Sequence, residues 1–174
     1  MKTYFKFLIP ILFLCILSYF GFKIISKINH KKEVALHIKT IPNFLYKNSD
    51  GTIFGKANLK PNTKTIFLYF NTECEFCQEE AKQIKASIEQ FKTIQLVFIS
   101  IEKTAIIKNF ATNNKLNSYD NVHFLCDERM DFSKSFDVTS LPTLVLYDEN
   151  QQLIEKIKGE IKVESLFKKL KVEN

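Results

Sequence analysis

The stretch that decides the fold is "TECEFCQEE", residues 72–80, in which two residues separate Cys74 from Cys77. Directly before it, "TKTIFLYF" (residues 63–70) is an apolar, β-rich run of the kind found in strands buried on both faces. Directly after it, apolar residues recur at steps of four and three, which predicts one buried face of a helix. That predicted face consists of Cys77, Ala81, Ile84, Ile88 and Phe91.

The predicted helix would begin at the cysteine pair. Thr72 and Glu75 fit the Ser/Thr-x-x-Glu capping box, which marks a helix start. Cys74 then lies at the helix tip, where oriented N–H groups and the helix dipole stabilise a thiolate. A strand followed by a Cys-x-x-Cys that opens a helix is typical of a redox couple. In that interpretation Cys74 attacks a partner's disulfide, and Cys77, one turn inside, resolves the mixed disulfide.

A metal site and a structural disulfide are the other interpretations of the pair. Zinc needs about four ligands, and only His123 and Cys126 could add to the two cysteines. Both lie in a predicted strand whose alternation points them to opposite faces. A disulfide between residues so close would close a very small loop and stabilise little. We expect no metal and no cofactor at this site.

The rest of the chain alternates predicted strands with predicted helices. This order indicates an α/β fold with a mixed or parallel sheet covered by helices. The elements are a hairpin over residues 41–54 turning at Asp50–Gly51, strands over 93–101 and 121–128, helices over 103–116 and 130–138, a hairpin over 141–159 turning at residues 148–151, and a terminal helix over 162–172.

The net charge of +6 is concentrated at the N-terminus. Of the 25 basic residues, six lysines lie in residues 1–32, which contain no acid, so 19 basic residues face 19 acids from Glu33 onward. The folded part is therefore neutral and shows no nucleic-acid footprint.

The N-terminal sequence predicts a membrane anchor. Phe7–Phe22 is an uncharged run of 16 residues, short beside the roughly 20 that a span needs. Flanking Lys6 and Lys23 can snorkel and extend it. No small-x-small site follows for cleavage as a signal peptide, and the bulky residues before Cys15 argue against a lipoprotein. We therefore expect an uncleaved helix in the lipid bilayer.

Three segments follow from this interpretation: an anchor over residues 1–28, a linker over 29–40 and a folded domain over 41–174. Lysines flank the anchor on both sides, so the positive-inside rule does not fix its orientation. A very short N-terminus followed at once by an apolar run resembles a retained export signal. We expect a single-pass inner-membrane protein whose domain faces the periplasm.

Residues 41–174 resemble a known family. "IPNFLYKNSDG", "YFNTECEFCQEE" and "SLPTLVLYDENQQLI" are similar to the opening hairpin, the active-site strand and helix, and the proline loop of thioredoxin-fold proteins of the membrane-anchored TlpA and ResA type, close to the AhpC/TSA redoxin group. The resemblance implies a thioredoxin-like fold, with a central mixed sheet flanked by helices. It also implies a thiol-disulfide oxidoreductase.

The resemblance implies roles for two further residues. Leu141–Pro142 would be a cis bond beside the cysteines, with the adjacent backbone holding the substrate chain. Glu80, three residues after Cys77, would relay the proton of that thiol. Family members reduce, or more rarely oxidise, disulfides of exported proteins, including apocytochromes. The implied partners are those protein thiols and disulfides, and a membrane or periplasmic thiol that donates electrons.

Two alternatives in function remain open at this point. A thiol peroxidase of the AhpC/TSA kind would resemble Pro-x-x-x-Thr-x-x-Cys with an arginine. Here Thr72 is two residues before Cys74, and Arg129 is the single arginine. A non-catalytic metal-binding or chaperone module would resemble Cys-x-x-x-Cys with a distant histidine. Phe76 also replaces the proline common between the cysteines, and Leu68 stands where thioredoxin has a buried carboxylate.

Overall fold

The computed structural model describes the backbone of residues 2–171 and the side chains of residues 13–171. The chain forms two compact units, one ending at His37 and one beginning at Ile38. The first unit is helix α1, Lys2–His37, which continues through most of the segment expected as a linker. Among the described residues, no helix combines the length and the apolar character needed to cross a membrane. Within the predicted anchor, the side chains of residues 1–12 lie outside the described ones.

The second unit contains the predicted strands and helices. The predicted elements are present with their ends shifted by a few residues, but the helix after the cysteines ends at Ala86, and Ile88 and Phe91 lie in a separate 3-10 turn. In chain order they are β1 Leu45–Asn48, β2 Ile53–Gly55, β3 Lys64–Tyr69, α2 Glu75–Ala86, β4 Ile94–Ser100, α3 Thr104–Asn113, β5 Val122–Cys126, α4 Asp131–Ser135, β6 Thr143–Tyr147, β7 Leu153–Lys158 and α5 Val163–Leu170, with 3-10 turns at Lys56–Asn58 and Ile88–Phe91.

Within the described residues, seven strands form one mixed sheet in the order β2-β1-β5-β4-β3-β6-β7. Strands β3, β4 and β5 run parallel. The β6–β7 hairpin joins β3 antiparallel, and the β1–β2 hairpin joins β5 antiparallel. The expected mixed sheet is confirmed.

Alternation along β3 gives each face of the sheet its own core. Ile66 and Leu68 belong to the apolar cluster that α2, α3 and α5 complete. Phe67 and Tyr69 point the other way, where both rings contact Phe132 of α4. Both faces are covered, as the continuous apolar run of this strand predicts, and its central residues are almost fully buried.

This topology brings three segments to one edge of the sheet. Strands β3 and β4 are parallel, so the turns that follow them lie side by side. Strand β6 runs the opposite way, and Thr143 at its start pairs with Tyr69 at the end of β3. The cysteine turn after β3, the turn after β4 and the proline before β6 therefore meet at this edge.

Candidate functional site

The two cysteines differ in exposure because of where α2 begins. Cys74 is the N-cap of α2, with an extended backbone, and its Sγ accepts a hydrogen bond from the Cys77 N–H at 3.3 Å. Cys74 is partly exposed, whereas Cys77 is 0% exposed. Both are free thiols. The predicted inequality of the two sulfurs is confirmed in geometry, with one at the surface and one a turn inside.

The predicted capping box at Thr72 is wrong. The helix begins at Glu75 with Cys74 as its cap. Thr72 instead directs its hydroxyl and its backbone N–H to the carboxylate of Glu102, at 2.7 and 2.8 Å. The Glu102 carboxylate accepts both donors of Thr72 at once, and it lies 30 residues away, beyond any local motif.

The interior position keeps the Cys77 thiol protonated. Burial is the main reason that the pKa of Cys77 is raised to about 12, and a hydrogen bond between the two thiols adds to this. Negative charge on Cys74 or Glu80 would raise it further, while the backbone of Asn71 acts in the opposite direction. Cys77 therefore needs a proton acceptor before it can attack a disulfide.

Glu80 is a buried carboxyl one turn along the helix from Cys77. It is 0% exposed. Its Oε2 accepts the Ile161 N–H at 2.9 Å, and its Oε1 is buried with no hydrogen-bond partner among the described residues. Burial raises the pKa of Glu80 to about 7, the hydrogen bond from Ile161 opposes this, and nearby Glu160 adds to it. Glu80 can thus exchange a proton near neutral pH.

The peptide bond Leu141–Pro142 is cis, as the family resemblance implied. Pro142 is buried and directly precedes the Thr143 that pairs with the end of β3. Its carbonyl accepts the Gly159 N–H at 2.8 Å. The chain turn 159–161 therefore contacts both predicted site residues, the proline through Gly159 and Glu80 through Ile161.

The sequence analysis did not identify this turn or the acid within it, Glu160. Glu160, whose carboxylate accepts a hydrogen bond from Gln83 of α2 at 2.5 Å, lies close enough to Glu80 to influence its protonation. A backbone N–H carries no sequence signature. The only local signal was Gly159, which has φ +84°, at the end of the predicted hairpin.

The residues that the alternatives require lie elsewhere. His123 packs against Phe54, with ring centroids 4.4 Å apart, on the opposite face of β5 from Cys126. Arg129 forms a salt bridge with Asp131 at 2.9 Å. It also lines a pocket together with Cys126, and the described residues lining that pocket include neither Cys74 nor Cys77. Among the described residues, no group of three His, Cys, Asp or Glu side chains is arranged as a metal site.

The sheet order, the dithiol at the start of a helix and the cis proline opposite it define a thioredoxin-fold protein with a redox-type active site. The chain belongs to the AhpC/TSA family, whose sequence profile matches residues 38–156. It is 30% identical over 146 residues to the thiol-disulfide oxidoreductase ResA of Bacillus thuringiensis subsp. konkukian, a match that covers 80% of each chain.

Solved structures share the fold. StoA from Bacillus subtilis superimposes with a TM-score of 0.59 at 20% identity, covering 75% of this chain and 98% of StoA. Peroxidoxin BcpB from Mycobacterium tuberculosis gives a TM-score of 0.66 at 16% identity, covering 78% and 96%. Since a protein named as a peroxidoxin shares the fold, fold similarity alone does not select the reaction.

Proposed function

We propose that this chain is a thiol-disulfide oxidoreductase that reduces disulfides of exported proteins through Cys74 and Cys77. The observation that carries the proposal is the pairing of a partly exposed Cys74 at the helix N-cap with a fully buried Cys77 one turn inside. The family and the name of its ResA relatives support the same class of enzyme.

The first step is attack by Cys74. Its Sγ already accepts the Cys77 N–H, and the α2 N-terminus favours negative charge there. The Cys74 thiolate bonds to one sulfur of the partner's disulfide, the partner's S–S bond breaks, and the other partner sulfur leaves as a thiolate. The product is a mixed disulfide between Cys74 and the partner.

The second step needs Cys77 to lose its proton. We assign Glu80 as the acceptor, directly or through a water, because it is buried one turn away on the same helix and its pKa is raised to about 7. The Cys77 thiolate attacks Cys74 Sγ, the mixed disulfide breaks, and the partner's second sulfur leaves as a thiolate. The proton held by Glu80 and the proton that Cys74 gave to solvent balance the two partner thiolates, so the partner ends as a dithiol. Two electrons have passed to the partner, and Cys74–Cys77 is left as a disulfide.

Pro142 is assigned to substrate binding. It lies across from the end of β3, donates no N–H of its own, and its carbonyl is already bonded to Gly159. We assign the backbone next to it to pair with an extended segment of the partner. A membrane or periplasmic thiol donor would then return two electrons to the Cys74–Cys77 disulfide.

For the location, we propose an anchor over residues 1–28, a linker over 29–40 and a catalytic domain over 41–174 that faces the periplasm. The uncharged run Phe7–Phe22 supports an anchor. Its described apolar side chains from Phe13 to Phe22 are largely exposed, as Phe13 at 61% and Phe22 at 73% illustrate, and such a surface is typically covered by lipid or protein.

Activity assays separate the proposed enzyme from its rivals. The full-length chain, supplied with a dithiol, should reduce a protein disulfide and consume little peroxide. Rapid peroxide consumption without protein-disulfide reduction would identify a peroxidase instead. Protein purified under reducing conditions with stoichiometric zinc or copper would identify a metal module.

Topology is tested by fusing alkaline phosphatase after Asn174, since this enzyme is active only outside the cytoplasm. An active fusion supports the periplasmic domain. An inactive fusion together with an active cytoplasmic reporter at the same position would reverse the orientation.

A further inference from the structure

We propose that Glu102 is a positioning residue for Cys74, which fixes the active-site turn through Thr72. The inference rests on the proposed function, because it assigns a residue that makes the attacking sulfur of that reaction ready to react. Glu102 follows β4, is half-buried, and belongs to neither the cysteine turn nor α2.

The first observation is that the Glu102 carboxylate binds Thr72 with both oxygens. The Thr72 N–H donates to Oε2 at 2.8 Å and the Thr72 hydroxyl donates to Oε1 at 2.7 Å. Such charge-assisted pairs are stronger and more directional than neutral hydrogen bonds. They fix both the backbone and the side chain of a residue two positions before Cys74.

The second observation is that the remaining polar group of Thr72 is bound from the helix. Its carbonyl accepts the side-chain amide of Gln78, in the first turn of α2, at 2.8 Å. A hydrogen bond closes the turn from Asn71 to Cys74, since the Cys74 N–H donates to the Asn71 carbonyl at 3.2 Å. Thr72 therefore joins the start of the helix to the turn after β4.

The third observation is that Glu102 is itself held in place. The Ser100 hydroxyl donates to its Oε2 at 3.0 Å, and its own N–H donates to the Ser100 oxygen at 3.2 Å. The Cys126 thiol donates to the Glu102 carbonyl at 2.9 Å, from the position on β5 that pairs with Ser100. Cys126, a thiol with no role in the proposed reaction, thereby supports the residue that supports the active site.

The chemical consequence concerns the geometry of attack. A thiolate must approach a disulfide in line with the bond that breaks, and a nucleophile held in that geometry loses less freedom at the transition state. Cys74 packs against the edge of the apolar cluster and bonds the Asn71 carbonyl through its N–H. The contacts of Thr72 with Glu102 and Gln78 fix the turn on its other side, two residues before the attacking sulfur.

The decisive variant is Glu102→Gln in the full-length chain. The amide has the same shape but only one accepting oxygen, so the Thr72 hydroxyl must turn to accept from the NH₂ group, and both charge-assisted hydrogen bonds become weaker neutral ones. The measurement is the rate at which Cys74 attacks a small aromatic disulfide, followed across pH to its high-pH plateau. We expect the plateau rate to fall about tenfold.

Glu73→Gln is the matched control for charge. Glu73 is exposed and directly precedes Cys74, and its replacement removes the same single negative charge as Glu102→Gln. We expect both variants to displace the midpoint of the rate-against-pH curve in the same direction, and only Glu102→Gln to lower the plateau. Equal plateau losses, or none, would overturn the positioning role.

A second pair of variants keeps the test independent of how Glu102→Gln folds. Thr72→Ser retains the hydroxyl and should keep the wild-type plateau, whereas Thr72→Val loses it and should reproduce part of the fall. Amide hydrogen exchange at Thr72 should accelerate in Glu102→Gln. Thr72→Val at the wild-type rate would contradict the inference.

The failures are distinguishable. If wild-type Cys74 attacks no disulfide, the proposed function fails. If it attacks normally and the variants do not differ, only the positioning role of Glu102 fails.

Discussion

The outer and inner sides of the start of α2 each carry a thiol, in opposite surroundings. Outside, Cys74 is partly exposed, and acids next to it such as Glu73 reach solvent. Inside, Cys77 and Glu80 are both 0% exposed. Burial raises the pKa of each inner group, the thiol to about 12 and the carboxyl to about 7. One helical turn therefore separates a thiol placed for attack from a thiol that needs a base.

The largest expected effect comes from removing either sulfur. Cys77→Ser deletes the resolving thiol and should leave partner proteins covalently held on Cys74, in adducts that a reductant releases. Cys74→Ser should trap little, because buried Cys77 cannot reach an incoming disulfide. Non-reducing electrophoresis of the two variants measures this.

Equal trapping by both variants, or by neither, would break the comparison between the outer and inner sulfurs. Few protein adducts together with a sulfenic acid on Cys74 would point to peroxide chemistry instead.

The next effect concerns resolution of the mixed disulfide. An ionised Glu80 can accept the Cys77 proton, so the resolving rate should rise with pH through about 7. Glu80→Gln should slow resolution at pH 8 by about 10²-fold, within the usual range for a general base. Single-turnover release of a trapped partner across pH checks this, with Glu79→Gln on the exposed side of the helix as control. An unchanged pH profile would exclude Glu80 as the acceptor.

Stability should respond to the same residue. The folded-state pKa of Glu80 is raised from 4.5 to about 7, so its stabilising contribution is present below pH 4.5 and is lost as pH rises through about 7. Relative to wild type, Glu80→Gln should therefore gain about 1–3 kcal/mol of unfolding free energy between pH 4.5 and pH 8. Denaturant titrations at the two pH values measure the difference. A gain that does not depend on pH would show that Glu80 is ionised in the folded chain throughout.

The smallest effect belongs to the outer side. Acids around Cys74 oppose its negative charge and disfavour the reduced form. We therefore expect a reduction potential nearer that of thioredoxin, roughly −270 mV, than that of DsbA, roughly −120 mV. Replacing Glu73 and Glu75 with Gln should raise the potential by only about 10–20 mV, because both are exposed. A redox titration against glutathione checks both statements. A wild-type potential close to roughly −120 mV would refute the argument from charge.

Much of the fold could be predicted because its signals are local. The continuous apolar run of β3 identified the strand, and the three- and four-residue spacing after Cys77 identified the helix and its buried residues Cys77, Ala81 and Ile84. The helix ends at Ala86, so Ile88 and Phe91, expected on the same helix face, are buried from a separate 3-10 turn. The hairpin turn at Gly51, which has φ +89°, followed from Asp-Gly in the same way. Periodicity and turn chemistry depend on neighbours within a few residues, so a sequence displays them directly.

The sequence by itself determined the order of the elements, the cysteine pair at the start of a helix and the inward position of Cys77. Only the tertiary structure decided which groups those residues meet. Glu80 takes its hydrogen bond from Ile161, 81 residues away, and Thr72 turns from the local cap to Glu102, 30 residues away. Such partners are chosen when strands pair and helices bury their apolar faces, since a buried polar group must then bond whatever donor or acceptor the fold places beside it.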